Sequence, residues 1–154
     1  MVNLEKFMKT AIEEAEIAAL NGDVPVGAVI VKDGEILAKE HNRREADKNA
    51  LSHAEVCAIS RANELLGSWH LDGCELYVNL EPCPMCAGAI INSRIKRVVY
   101  GACDARAGAC GSLINLNHYP FNHKFEVVGG VLEQECSKLL SDFFKDRRNK
   151  SNEN

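Results

Sequence analysis

Two short stretches of this chain hold residues that could do chemistry together: Pro82-Cys83-Pro84-Met85-Cys86 and, upstream of it, Ser52-His53-Ala54-Glu55. A pair of thiols separated by two residues and flanked by prolines suits a metal-binding turn that opens a helix, because proline fits the first helical position. Cys-x-x-Cys by itself also serves redox pairs and structural zinc knuckles. His53 adds a third ligand of the right type. One imidazole and two thiolates leave a tetrahedral zinc with its fourth position open to water, which is the plan of a hydrolytic site. Zinc held this way lowers the pKa of its water from about 15.7 to about 7. Glu55, two residues from His53, is the expected proton carrier for that water and for a leaving group.

Geometry sets a condition on this reading. Residues i and i+2 point apart within a regular helix, so His53 and Glu55 share a site only at an irregular first turn, where Ser52 as N-cap would put them. Ser52-x-x-Glu55 is equally the spacing of a capping box, with Glu55 bonded back to the Ser52 N–H. Cys57, one helical turn after His53, could supply a fourth ligand and close the site into a structural one. Both alternatives are open on sequence grounds. A helix start at each ligand set favours thiolate, because unpaired N–H groups and the positive end of the helix dipole stabilise it there.

The elements that must position these residues follow from hydrophobic period and punctuation. Leu4 to Leu20 repeats apolar residues at three and four and stops at Asn21-Gly22, so it is read as a helix. Val24–Val31 and Glu35–Glu40, joined by Asp33-Gly34, form a predicted hairpin. His41 to Ala50 is read as a loop, and a second long helix runs from Ser52 to Gly67. Cys74–Leu80 alternates like a strand and leads into Glu81-Pro82-Cys83, and the next helix continues through Ile91. Lys96–Gly101 and Phe125–Val128 are predicted strands four and five, with a long loop between them, and Leu132 to Arg148 is the last helix. Strands alternating with helices imply one five-stranded mixed sheet covered on both faces, a three-layer α/β/α sandwich. Residues 1–148 are expected to form one domain and 149–154 a disordered polar tail.

Composition narrows the function classes. Hydrophobic content of 46% and charged content of 26% over 154 residues suit a soluble globular chain. No apolar run approaches the roughly 18 residues of a membrane span, and Met1 to Glu5 opens no signal-like segment. Seven cysteines at irregular spacing do not suggest a secreted disulfide framework, so reduced thiols and a cytoplasmic location are expected. A net charge of −4 argues against indiscriminate nucleic-acid binding: no DNA partner is expected, and any RNA contact must be local. Basic residues that could meet phosphate are Arg43 and Arg44, then Arg94, Lys96 and Arg97, and finally Lys145, Arg147, Arg148 and Lys150, although those at a helix end also suit its dipole.

His53-Ala54-Glu55 with Pro82-Cys83-Pro84-Met85-Cys86 resembles the signature of the cytidine deaminase-like zinc deaminases. Beyond the signature, Gly22 to Ala28, Asn42, Asn79 to Cys83, Gly101 to Gly108, Gly111-Ser112-Leu113, Asn122-His123 and Leu140 to Phe144 resemble the bacterial tRNA-specific adenosine deaminases, from near Phe7 to Arg148. That resemblance implies a cytidine deaminase-like fold, one zinc ion per subunit and conversion of adenosine to inosine at the wobble position of a tRNA, usually an arginine tRNA. It further implies a homodimer whose partner helps shape the RNA site. Carried over by position, Asn42 and the Cys83 and Ala54 backbones would hold the base, Val26 would wall the pocket, and Asp104 and Asn122 would meet neighbouring nucleotides. Arg44, Phe144, Arg147 and Arg148 are the further tRNA contacts expected. Ala50-Leu51-Ser52 departs from the proline, threonine and alanine common before the histidine, and Cys103 and Cys110 replace small or polar loop residues, as inert or oxidation-sensitive thiols. The zinc motif does not specify the ring, so free guanine or cytosine compounds are the alternative substrates.

Overall fold

The computed structural model describes residues 3–152. Its elements are α1 (Leu4–Leu20), β1 (Gly27–Lys32), β2 (Glu35–His41), α2 (Arg44–Asp47), α3 (Ala54–Leu66), β3 (Glu75–Leu80), α4 (Pro84–Ser93), β4 (Arg97–Ala102), β5 (Glu126–Val128) and α5 (Glu133–Asn152). The strands form one mixed sheet in the order β2-β1-β3-β4-β5, antiparallel through β2, β1 and β3 and parallel through β3, β4 and β5. This is the expected three-layer sandwich.

Strand alternation sorts the side chains into two cores. Ala28, Ile30, Leu76, Val78 and Val98 face α3 and α4, where Ala58, Ile59, Ala62, Ile90 and Ile91 meet them. Val29, Val31, Tyr77 and Val99 face α1 and α5, against Phe7, Met8, Ala11, Cys136 and Leu140. Gly27 lets α1 lie directly on β1: a Cβ there would come within 2.6 Å of the Ala15 nitrogen and 2.8 Å of the Glu14 Cβ.

Four boundaries differ from the sequence reading, each for a physical reason. The first strand begins at Gly27 rather than Val24, because Asn79 takes over the backbone groups ahead of it: its Oδ1 accepts from the Gly27 N–H (2.8 Å) and its Nδ2 donates to the Pro25 carbonyl (2.8 Å). The loop after β2 contains α2, whose Glu45 and Ala46 N–H groups donate to the Asp23 carboxylate at 2.7 and 3.3 Å. Ser52 is not an N-cap. Its hydroxyl donates to Asp47 Oδ2 (3.0 Å), and His53 caps α3 instead. Finally, α5 runs past Arg148 to Asn152, so positions 149–152 of the expected disordered tail are helical, while 153–154 lie outside the described residues. Asn149, Lys150 and Ser151 include neither proline nor glycine, and Lys150 in the last turn suits the negative end of the helix dipole.

Candidate active site

Two helix starts meet at one point. His53 is the N-cap of α3 in extended conformation (φ −72°, ψ 149°), and Cys83 is the N-cap of α4 (φ −75°, ψ 173°), with Pro84 at the first helical position. The His53 side chain makes no hydrogen bond to its own helix. The two cap side chains point at each other: His53 Nδ1 lies 3.6 Å from Cys83 Sγ and 3.5 Å from Cys86 Sγ. A tetrahedral ion with Zn–S of about 2.3 Å and Zn–N of about 2.0 Å separates such atoms by about 3.5 Å. The two nitrogen–sulfur separations therefore match those around an ion of zinc's size, and all three ligand atoms lie within 4.8 Å of one another.

The extended backbone at His53 also removes the geometric obstacle. His53 stands outside the helical repeat, so Glu55 in the first turn of α3 reaches the same cleft. The capping-box alternative is not formed, since the Ser52 N–H donates to Asn49 O (3.1 Å). Nor is the closed four-ligand site. Cys57 does not join the His53, Cys83 and Cys86 cluster and instead lines a separate surface depression with Glu40, Arg43 and Arg61.

Electrostatics couples these three side chains. The Cys86 thiol donates to Cys83 and, against the opposing effect of burial and with help from His53, holds the Cys83 thiol down at about 4. The same hydrogen bond, with burial, pushes Cys86 up. His53 is raised chiefly by its contact with Cys83. Protons on these side chains would give way to a bound cation, because metal affinity and ligand deprotonation are coupled. Glu55, 4% exposed, is pushed up to about 7, first by burial and also by the neighbouring Cys83 charge.

A cleft of about 170 Å³ opens over these groups, lined by Val26, Asn42, Arg44, His53, Ala54, Glu55, Cys83 and Asp104 among others. Pockets for drug-sized ligands run from roughly 300 to 1,000 Å³, so this space suits a single ring system. Asn42 is buried, with Nδ2 donating to the Val24 carbonyl (3.2 Å) and Oδ1 accepting from the Arg44 N–H (3.3 Å). Next to the cleft, a larger groove of about 860 Å³ shares Val24, Leu80 and Asp104 with it and continues past Arg106, Phe144, Arg147 and Arg148. Asn122 is not brought to the cleft. It is exposed beside His123, whose Nε2 meets the Ile95 carbonyl (2.7 Å) just ahead of β4, at the opposite end of that strand from Asp104.

Three buried polar residues that sequence reasoning left without a role organise the rim: Asp23, Asn79 and Glu81. Burial raises the Glu81 carboxyl, but the Ser112 hydroxyl and the N–H groups of Asp104, Ser112 and Cys110 outweigh it and hold the group below its usual range. The signal available was the adjacency of Asn79 and Glu81 to Pro82-Cys83, since polar residues running into a metal turn have to be partnered.

The MafB19-like deaminase family profile matches residues 2–148. The tRNA-specific adenosine deaminase of Bacillus subtilis (strain 168) is 51% identical over 151 residues, covering 97% of this chain and 94% of that protein. A solved structure from a study of A-to-I editing by tRNA:A34 deaminases at the wobble position of transfer RNA is similar at TM-score 0.86 and 41% identity, over 88% of this chain and 99% of that one. A guanine deaminase from Nitrosomonas europaea is similar at TM-score 0.77 and 25% identity, over 93% and 85% of the two chains. With a His-Cys-Cys cluster that could hold a metal ion beside a buried glutamate, the chain belongs to the tRNA-specific adenosine deaminases within the MafB19-like deaminase family.

Proposed function

We propose that this protein converts adenosine to inosine at the wobble position of a tRNA, arginine tRNA first among them, by hydrolytic deamination. The observation that carries the reading is the convergence of His53, Cys83 and Cys86 with a buried Glu55 in a cleft that opens into a groove bearing Phe144, Arg147 and Arg148. Zinc, one ion per subunit on His53, Cys83 and Cys86, would supply an acidified water as the nucleophile. Glu55 would carry the two protons of that water in turn, one to the ring nitrogen and one to the departing ammonia. Its burial at the floor of the cleft keeps that transfer away from bulk water.

The chain's other residues bind and orient. Val26 walls the cleft, and Asn42 with the Ala54 and Cys83 backbones holds the base edge. Asp104 stands where cleft and groove meet, positioned to face the nucleotide next to the target. Arg44, Phe144, Arg147 and Arg148 offer phosphate and stacking contacts to the strand on either side. Asn122, which lies far from its own cleft, would act on a neighbouring nucleotide in the cleft of a second subunit of a homodimer. The cytoplasm is where such a tRNA-acting dimer would work.

The test is inosine formation at the wobble adenosine of an arginine tRNA anticodon stem-loop, with the parent beside Glu55→Ala. Editing by the parent alone supports the reading. Turnover of free guanine with none of the stem-loop would replace it.

A further inference from the structure

Glu81 sits between the end of β3 and the metal turn, 2% exposed, and its carboxylate accepts four hydrogen bonds, all from one loop. Oε1 accepts from the Asp104 N–H (3.1 Å) and from the Ser112 hydroxyl, and Oε2 accepts from the N–H groups of Cys110 (3.0 Å) and Ser112 (3.1 Å). Gly108 closes over the same carboxylate, and a Cβ there would lie 2.5 Å from Oε2 and 2.5 Å from the Asp104 carbonyl. The backbone joins the same two segments through Glu81 N–H to Ala102 O (2.9 Å) and Ala109 N–H to Pro82 O (2.8 Å). The loop therefore folds around a side chain two residues from Cys83. Its first residue, Asp104, has Oδ1 committed to the Arg106 and Ala107 N–H groups, and it borders both the cleft and the groove.

We propose that Glu81 is a positioning residue that fixes the loop from Asp104 to Ser112 relative to the metal turn and so determines which nucleotides beside the target base are accepted. The proposal rests on the RNA reading above. A strand whose base enters the cleft must pass Asp104, and Glu81 sets the height and angle of Asp104 against Cys83. A carboxylate is required because the donors approach both oxygens. Glutamine presents N–H₂ to one pair of them, releasing either the Asp104 end or the Ser112 end of the loop.

Glu81→Gln is compared with the parent on two anticodon stem-loops that differ only in a nucleotide beside the target adenosine. The variant is expected to keep its metal content and, within a few-fold, its kcat, while KM for the preferred stem-loop rises about tenfold. The preference between the two stem-loops falls toward unity. Amide hydrogen exchange in 104–112 accelerates, whatever the RNA result. Ser112→Ala, which alters an exposed residue and spares the fold, moves preference and exchange the same way by less. Gly108→Ala reproduces the loss with the carboxylate intact. Metal content and kcat falling together with an unchanged preference would reduce Glu81 to a fold-maintaining group and overturn the proposal. So would unchanged exchange in the loop. If the parent edits neither stem-loop, the functional reading fails separately, and the exchange measurement alone decides whether Glu81 ties the loop.

Discussion

His53, Cys83 and Cys86 come together because two helices begin side by side, whereas Val26, Asn42 and Asp104 reach the cleft on segments outside every helix and strand. The metal corner is thus made by local rules: an extended N-cap, a proline at the first helical position and a cysteine one turn in. The substrate rim is made by remote ones. Asp23 holds α2, Asn79 holds Pro25 and Gly27, and Glu81 holds the loop after β4, each by a buried side chain bonding to distant backbone. On the proposed reading, chemistry and substrate choice would be supported by different residues. Each should be removable with the other left standing.

Cys83→Ala attacks the corner and carries the largest expected effect. Bound metal falls to trace levels in elemental analysis, deamination is lost, and the melting temperature ceases to respond to chelator. Next comes Glu55→Gln, for which kcat drops about 10³-fold while metal content and thermal stability stay at parent values. Retained activity in that variant would break the assignment of the corner as catalytic.

The rim is tested by stability and KM together. Asn79→Ala leaves the buried Gly27 N–H and Pro25 carbonyl without partners, so about 3 kcal/mol of unfolding free energy should vanish in denaturant titration. The protein that still folds should bind metal normally. Asp23→Ala removes the cap of α2 and costs about 1 kcal/mol, with a raised KM as Arg44 loses its support. Equal loss of metal in either variant would show that corner and rim are one unit.

The smallest effect is a labelling rate. Burial pushes the Cys110 thiol up to about 12 and the Cys136 thiol up to about 11, so at pH 8 both remain neutral and resist alkylation, while the exposed Cys103 reacts. A raised pKa means less thiolate at a given pH, and labelling of the two buried thiols should grow as pH climbs toward those values. Cys110 is a buried member of the loop held by Glu81, which makes its labelling a gauge of rim opening: Ser112→Ala should speed it and leave Cys136 unchanged.

The sequence was most readable where structure is local. The bounds of α1 follow from apolar period and an Asn-Gly stop, and the ligand trio follows from residue type and spacing. It was least readable where a side chain replaces a backbone partner. Val24 to Val26 has the composition of a strand, yet Asn79 meets the Pro25 and Gly27 backbone groups, so the ladder starts late. Four residues of α2 have no cap nearby in sequence; Asp23 supplies it from across the fold. Ser52 is a good N-cap by type, but the Asp47 carboxylate draws its hydroxyl away. The position of Asn122 depends on how the long loop before β5 is folded, and that loop has little hydrophobic period to read.

Asn79, Glu81, Cys83 and Cys86 follow one another so closely that length there is fixed more tightly than residue type. A single inserted residue after Asn79 would shift the loop anchor and both metal ligands against their partners at once, with the extended backbone reversing which side each faces. Relatives that diverge in this segment should do so by substitution. Insertions and deletions should collect between Tyr119 and Asn122, an exposed stretch with no strand to keep in register.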